Sequence, residues 1–355
     1  MSQRLRTVLA TLGTLAGIGL VAAVAVIFLG VFNTSARWTE PRIVAEAIHQ
    51  VFESSVRRRA PPPSEVPDLD QPGLVELGAR HFDAACRGCH AVPGEERTAT
   101  IRAMEPPPPH ITEAVAGWTP AELHQIVWAG VHFSGMPAWP SAREDGIWPV
   151  VAYLSAVQQG LTPETQAGLT ATPQVEGPEG AGYCAGCHDG RLPHVPHLSI
   201  LPEAYLASAL QQYRDGRRQS GIMAHAASAV PEDALPALAT WLARQPAPQP
   251  AGDFALAQEG AALARAGTGD VPACTACHGP GTSAGAREGE DAEEFPPLAG
   301  QDRAYLQDQL LAWREGGRGG GALAPLMQAA ARDLTDADIA ALADYYAGLA
   351  PEAAR

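Results

Sequence analysis

The motif Cys-X-X-Cys-His occurs three times, and its three copies contain all six cysteines of the chain. In this motif each thiol can add to one vinyl group of a haem, and the adjoining histidine presents its imidazole to the iron. The residues that would hold haem in this way are Cys86, Cys89, Cys184, Cys187, Cys274 and Cys277, with His90, His188 and His278. The sequence therefore predicts three covalently bound haem c groups, each with its iron.

Two other uses of paired cysteines fit the chain poorly. A zinc ribbon joins two Cys-X-X-Cys pairs about 15–20 residues apart around one metal. Here the copies begin at residues 86, 184 and 274, and a histidine follows each pair. A thioredoxin-like site needs a strand–helix–strand pattern beside the motif, and this chain, rich in Ala, Gly and Pro, shows little of that pattern.

An iron that carries electrons needs a second axial ligand, and a methionine thioether raises the reduction potential relative to a second imidazole. After the third motif the chain has no histidine beyond His278, no lysine, and one methionine, Met327. We therefore predict that Met327 is the sixth ligand of the third haem.

The second motif leaves four candidate ligands, which are Met223, His194, His197 and His225. An internal repeat separates them. The segment Ala204–Leu206 recurs as Ala304–Leu306, 100 residues later, and further on the repeat is offset by 104 residues. Met223 and Met327 share that second offset, whereas His225 falls opposite Ala329. We predict Met223 as the ligand, with His225 as the main alternative.

The first motif is followed by Met104, Met136, His110, His124 and His132. Met136 lies between Gly135 and Pro137, in a loop that can direct a thioether inward. Met104 precedes a run of four prolines, where a packing role is the simpler interpretation. Met136 is the predicted ligand of the first haem.

Several helices are predicted to frame these sites. Thr119–Glu122 is a capping box that starts a helix through Val127, and a closing helix runs from Trp148 to Val157. Gly78 and Phe82, one helical turn apart, are expected to cross this closing helix near Tyr153. Near the C-terminus, Thr335 and Asp338 cap a helix over Ile339–Ala347.

The segment Gln174–Tyr183, before the second motif, contains three glycines and a proline. These residues disfavour a helix. We therefore expect the second haem region to lack a proper N-terminal helix and to depend on its neighbours for packing.

Two charged features of the sequence each allow two interpretations. Arg214, Arg218, Arg314 and Arg318 are placed either to pair with haem propionates or to remain solvated on the surface. The segment Glu288–Glu294 has five carboxylates in seven residues. It is either a docking site for a basic partner or an ordinary solvated insertion.

The N-terminus predicts a membrane anchor. Arg4 and Arg6 precede Val8–Phe32, which has no charged residue. About 20 apolar residues span a bilayer, whereas the apolar part of a cleavable signal is about 7–15 residues long. Cleavage after Ala36 is the alternative. The arginines place the N-terminus in the cytoplasm and the haem regions in the periplasm of a bacterium.

Beyond the anchor, Pro41–Val56 has a helical apolar stripe, and Ala60–Pro67 is predicted to be an extended spacer that leaves the haem body some freedom.

The net charge of −15 argues against nucleic acid as a partner. The predicted organisation is an anchor (1–35), a stalk and linker (36–72), module one (73–160), module two (161–248) and module three (249–355). Residues 161–173 are expected to link the first two modules.

The three modules resemble class I c-type cytochromes, which implies an all-α fold of three tandem haem domains after the transmembrane helix. From about residue 174 to 350 the chain is similar to the two-haem cytochrome c4 family. The similarity is carried by Pro296–Gln301, Tyr305-Leu306 and Asp336–Tyr346. Module two departs from the pattern, with Leu198–Leu201 where module three has Leu-Ala-Gly-Gln. The Gly135-Met136-Pro137 loop is similar to cytochrome domains attached to oxidases and to quinoprotein dehydrogenases.

This resemblance implies a membrane-tethered relay of single electrons without turnover of an organic substrate. The expected partners are a quinol-oxidising complex or a dehydrogenase upstream and a terminal oxidase downstream. A second hypothesis is a cytochrome subunit that passes electrons from a quinoprotein dehydrogenase to quinone. A third is a peroxidase-like haem protein with one open iron, for which module two is the candidate.

Overall fold

A computed structural model describes residues 2–30, 33–38, 40–247, 249–279 and 295–351. Over these residues the secondary structure is helical, without a β-strand, and one isolated bridge joins Arg218 and Gly319. The predicted all-α class is confirmed. The chain divides into two compact units, Met1–Ser54 with Ala99–Pro107, and Ser55–Thr98 with Pro108–Arg355. The acidic segment Glu288–Glu294 lies outside the described residues.

The first unit contains the N-terminal helix α1 (Gln3–Phe28), which has no buried residue. By length and composition it can cross a membrane, a property it shares with signal sequences near an N-terminus. Helix α2 (Arg42–Arg59) begins in this unit and extends three residues beyond the predicted helical stripe, which ended at Val56.

Within the second unit, the end of α2 is not a free tether. Val56 is buried, and the Arg57 guanidinium lies 5.8 Å from the Trp118 ring centre and 3.6 Å from the Glu122 carboxylate. The expected spacer contains a 3-10 turn, Pro63–Glu65. The last turn of α2 therefore packs on module one, and the spacer after it is not extended throughout.

Module one is built around the crossing of two helices. Its helices are α3 (Leu74–Ala85), α4 (Arg87–His90), α5 (Ala99–Arg102, in the first unit), α6 (Ile111–Ala114), α7 (Pro120–Ala129), α8 (Trp148–Gln158) and α9 (Pro163–Leu169). A Cβ on Gly78 would lie 1.8 Å from the Pro149 carbonyl oxygen, so only glycine allows α3 to approach α8 this closely. The Phe82 and Tyr153 rings meet 5.0 Å apart beside it. The predicted crossing, the capping box and the closing helix are all confirmed.

Helix α9 lies in the segment expected to be a linker. Its residue Gln166 is buried and accepts a 2.7 Å hydrogen bond from the Tyr153 hydroxyl in α8. Part of the segment is therefore folded onto module one, because its buried amide has a partner there.

Modules two and three repeat a long helix, a methionine-bearing helix and a closing helix. Module two has α10 (Ala181–His188), α11 (Glu203–Arg214), α12 (Gly221–Ala229) and α13 (Leu235–Ala243); module three has α14 (Ala257–Ala266), α15 (Thr275–His278), α16 (Arg303–Arg314), α17 (Ala324–Ala331) and α18 (Asp336–Gly348). The predicted cap at Thr335 and Asp338 is present as a capping box.

The two modules differ at their N-terminal ends. In module three, α14 crosses α18 at Gly260, where a Cβ would lie 1.9 Å from the Ala341 carbonyl oxygen. In module two no helix is present between Leu169 and Ala181, and the irregular segment is held on α13 by a 3.0 Å bond from the Trp241 indole to the Glu176 carbonyl. The expected lack of an N-terminal helix in module two agrees with the structure.

Candidate haem sites

The three motif histidines share one hydrogen-bonding arrangement. Nδ1 of His90, His188 and His278 lies 2.9, 3.1 and 2.9 Å from the carbonyl oxygens of Pro109, Pro196 and Pro296 respectively. A carbonyl oxygen can only accept, so Nδ1 must donate and Nε2 keeps its lone pair. A backbone carbonyl commonly orients metal-bound histidine in this way. Each imidazole is thus preset to bind iron through Nε2.

Burial keeps these imidazoles neutral. It lowers the pKa of all three motif histidines and outweighs the opposing effect of the proline carbonyls. A neutral imidazole is the form that binds a metal.

The motif cysteines are unpaired and half-buried. Burial raises the pKa of Cys86 to about 12 and of Cys184 and Cys187 to about 11. At Cys187 the effect of burial outweighs the opposing charge of Arg80, so these are neutral thiols, unlike the reactive thiolates of redox sites. They fit the thioether attachment of haem better than thiolate chemistry.

The third site brings its predicted ligands together. Cys274, Cys277, His278 and Met327 line one cavity of about 350 Å³. Met327 projects from α17 against the module three core, to which Leu334 and Leu342 belong.

The second site also has one cavity, of about 540 Å³, lined by Cys184, Cys187, His188 and Met223. His194 lines it as well, whereas His225 is turned toward module one, with its ring 5.7 Å from that of His81. These positions favour Met223 over His225, as the 104-residue repeat does.

The other two histidines after the second motif connect modules two and three. Nδ1 of His194 lies 2.8 Å from the Asp308 carboxylate, and Nδ1 of His197 lies 2.8 Å from the Gly300 carbonyl. The His197 backbone N–H also donates to the Gln301 side chain at 2.6 Å. Gly300 and Gln301 of module three, which have no counterpart in module two, therefore bind module two through His197.

In the first site, Met136 lies in a closed loop in the same compact unit as Cys86, Cys89 and His90. The Met136 carbonyl accepts from the Val131 N–H at 3.1 Å, and its N–H donates to the Ser134 hydroxyl at 3.1 Å.

Two of the rival histidines in module one are engaged elsewhere. His110 uses both ring nitrogens, toward the Glu95 carbonyl and the Thr112 hydroxyl. His124 is buried and stacked 4.3 Å from Trp148. Met104 belongs to the other compact unit.

The four arginines considered for haem propionates separate into two pairs. Arg214 donates to the Ala227 and Val230 carbonyls, and Arg314 donates to the Leu334 carbonyl and to Asp336. These two join each long helix to the segment after the methionine helix.

Arg218 and Arg318, by contrast, are buried and line the third cavity. Over the described residues, Nε of each has no hydrogen-bond partner. A buried guanidinium with an unused donor fits a carboxylate of a haem. Sequence reasoning treated the four arginines alike, because the partners of Arg214 and Arg314 become visible only in the fold.

Sequence reasoning also missed Gly260, Tyr205 and His81. Gly260 is a lone glycine in an alanine-rich helix, a signal that a helix crossing can explain. Tyr205 accepts a 3.0 Å bond from Arg218, and His81 lies between modules one and two. Tyr205 belongs to the repeated Ala-Tyr-Leu segment, which does not indicate its bond to Arg218, and no local pattern marks His81.

Comparison with known proteins finds cytochrome relatives for this chain. Residues 73–154 match the family described as cytochrome C oxidase, cbb3-type, subunit III, and residues 257–349 match the family cytochrome c. A thiosulfate dehydrogenase electron acceptor from Thiomonas intermedia is 38% identical over 48% of this chain and 80% of its own length. Cytochrome c4 from Pseudomonas aeruginosa is 33% identical over 51% of this chain and 94% of its own length.

Among solved structures, reduced cytochrome c4 from Pseudomonas stutzeri is 33% identical and covers 48% of this chain and 96% of its own, with a TM-score of 0.43. The helical fold and the three attachment motifs define a multihaem electron-transfer protein with covalently bound haem c. The chain belongs to the cytochrome c family, and its second and third modules resemble cytochrome c4.

Proposed function

We propose that the protein is a membrane-tethered periplasmic cytochrome that carries single electrons from a dehydrogenase to a terminal oxidase. The observation that carries the proposal is the threefold repetition of a cysteine pair with a neutral histidine fixed by a proline carbonyl. Bound haem supplies the iron that alternates between ferric and ferrous states. The chain supplies the ligands and excludes water from the iron.

The ligand sets are part of this proposal. Cysteine pairs 86/89, 184/187 and 274/277 attach the three haems, and the axial pairs are His90 with Met136, His188 with Met223, and His278 with Met327. The cavities at the second and third sites support these pairs, because each contains both members. The domain boundaries at residues 35, 72, 160 and 248 belong to the proposal as well.

Two relationships support the choice of partners. Relatives named thiosulfate dehydrogenase electron acceptor favour a dehydrogenase as the donor over a quinol-oxidising complex. The match of module one to a cbb3-type oxidase subunit favours a terminal oxidase as the acceptor. Electrons would then enter at modules two and three and leave through module one.

Rapid mixing of the purified three-haem protein with its partners tests this direction. A thiosulfate dehydrogenase with thiosulfate should reduce the oxidised protein, and membranes containing a cbb3-type oxidase should reoxidise it with oxygen uptake. The matched control is the Cys274→Ser/Cys277→Ser variant, which lacks the third attachment and should be reduced more slowly by the same donor. Failure of the oxidase membranes to oxidise the reduced wild-type protein contradicts the proposed acceptor.

Membrane tethering by α1 has its own test. After cell fractionation the protein should remain in membranes washed with salt, and its intact mass should include residues 1–36. A soluble protein that starts after Ala36 would show that α1 is a cleaved signal.

A further inference from the structure

We propose that module one forms one wall of the second haem site. The second cavity is lined by Leu74, Leu77, Arg80 and His81 of α3, as well as by the module two ligands. This inference rests on covalent haem at Cys184 and Cys187, and is independent of the redox partners and of the identity of the sixth ligand.

The first contact reaches the attachment motif. Leu77 is buried in a small core with Leu192 and Val195, and the half-buried side chains of Cys187 and Ile222 pack against this core. An α3 side chain therefore lies beside a thioether position of the second haem and beside the neighbour of Met223.

A charged contact lies along the same motif. The side chain of Arg80 is 8% exposed, and its guanidinium donates to the Ala171 carbonyl at 3.1 Å. A Cβ on Gly186, between the two cysteines, would lie 3.2 Å from Nη1 of Arg80. Glu76 holds this guanidinium from within α3, at 2.8 Å. The arginine thus covers the backbone of the motif.

The third contact reaches the methionine side of the site. A Cβ on Gly221 would lie 2.1 Å from the Trp139 indole, so the methionine helix α12 begins directly against module one. The next residues of module one continue the contact, since the Ala142 N–H donates to the Gln219 side chain at 2.9 Å. The buried His81 ring lies between Trp139 and His225, with centroid distances of 5.2 and 5.7 Å.

The third cavity provides the contrast. Over the described residues, its lining comes from residues 201–346 and includes nothing from module one. Module two has no N-terminal helix of its own, and α3 of module one covers its site from the attachment motif to the methionine helix. Module one is consequently a structural part of the second haem site.

A wall of this kind should influence the potential of the second haem. Removing apolar cover admits water, which stabilises the more highly charged ferric form and lowers the reduction potential. Because this apolar cover is specific to the second haem, its removal should leave the reduction potentials of the first and third haems unchanged.

The test uses the full-length three-haem protein and two variants, Leu77→Ala and Leu74→Ala. Both side chains are buried on α3 and line the second cavity, so each variant removes apolar cover that module one supplies. The matched control is Phe82→Leu, on the same helix, which faces Tyr153 inside module one. Haem-resolved redox titration is combined with thermal unfolding, and the first and third steps are assigned from Met136→His and Met327→His proteins.

We expect both variants to shift the second potential downward while the other two stay fixed, and Phe82→Leu to destabilise the protein without this selective shift. If one variant does not fold, the potentials of the other variant test the inference. Unchanged potentials in a folded Leu77→Ala protein would overturn the inference. So would a shift of all three potentials together, because this would indicate general loosening.

Discussion

Modules two and three derive from one repeated pattern, yet they complete their haem sites in different ways. Module three has its own N-terminal helix, locked against α18 at Gly260, and its cavity is lined without module one. In module two an irregular segment precedes α10, the helix that carries the attachment motif, and α3 of module one lines the cavity. The difference shows that a haem domain can lose an element when a neighbour in the same chain supplies an equivalent surface.

The largest expected effect comes from replacing the methionines that we propose as sixth ligands. Met327→Ala should leave the third haem high-spin and able to bind carbon monoxide, because no other histidine or methionine follows His278. Axial ligands contribute to a range of about 0.8 V in haem potential, so the change should be large. Ferrous spectra with and without carbon monoxide measure it.

The matched Met223→Ala variant sharpens the comparison between the modules. Since His225 is turned toward His81 and His194 is held by Asp308, we expect the second haem to become high-spin as well. A low-spin second haem of unchanged potential would instead assign the ligand to a histidine of module two.

A glycine-to-alanine substitution should reduce stability more at the helix crossing of module three than in the N-terminal segment of module two. Gly260→Ala places a Cβ 1.9 Å from a backbone oxygen, which the helices can relieve only by separating. Overpacking of this kind costs about 3 kcal/mol, which exceeds the gain of about 1 kcal/mol from replacing a helical glycine. Chemical denaturation monitored by haem absorbance measures the cost.

Gly177→Ala is the control in module two. There the new Cβ meets the Trp241 side chain at 2.9 Å and the Ala181 Cβ at 2.7 Å. The Trp241 ring can move, whereas the Ala181 Cβ moves only with its backbone, but both contacts are longer than the 1.9 Å at Gly260. The expected cost is therefore smaller, about 1–2 kcal/mol. Equal costs at the two glycines would mean that both modules depend equally on their N-terminal segments.

Replacement of Arg218 should show how module two contributes to the third site. Arg218→Gln removes a buried positive charge that lines the third cavity, together with its bond to Tyr205. Loss of positive charge disfavours the ferrous state, so the third potential should fall, and stability should decrease by about 1–3 kcal/mol.

Arg214→Gln serves as the comparison, since Arg214 bonds to the Ala227 and Val230 carbonyls instead. It should reduce stability without shifting the third potential. A redox titration and a denaturation curve for each protein separate the two effects.

The smallest expected effect concerns the contact between modules two and three at His194. Burial alone would lower the pKa of His194, but the hydrogen bond and charge of Asp308 outweigh it and raise that pKa above its ordinary value of 6.5. The stabilisation is complete below pH 6.5 and is lost as pH rises through the raised pKa. Burial also raises the pKa of Asp308 above its ordinary value of 3.8.

From about pH 6 to about pH 8, stability should therefore fall by about 0.5–1 kcal/mol, a discounted value because the pair is partly exposed. Denaturation curves across this range, repeated for His194→Gln, measure the effect. The variant should lose this component of the pH dependence; an identical pH dependence in both proteins would exclude His194 as its source.

Much of the molecule was predictable because the signals are local. The cysteine pairs and their histidines lie within five consecutive residues, and the cap at Thr335 with Asp338 spans four. The Gly78 crossing was predictable too, since one small residue next to Phe82 marks a close helix approach. Predictions for the linkers were less successful, because α9 and the end of α2 are fixed by distant partners.

The sequence alone determined that three haems are attached, since the thioether motif needs only the geometry of one short turn. Elimination pointed to Met327, the one methionine after His278, and the internal repeat then singled out Met223. The tertiary structure decided which arginines remain available to a haem and where His225 points. It also decided that α3 of module one covers the second site. These properties depend on contacts between residues that are separated in the chain, which no local pattern encodes and only packing brings about.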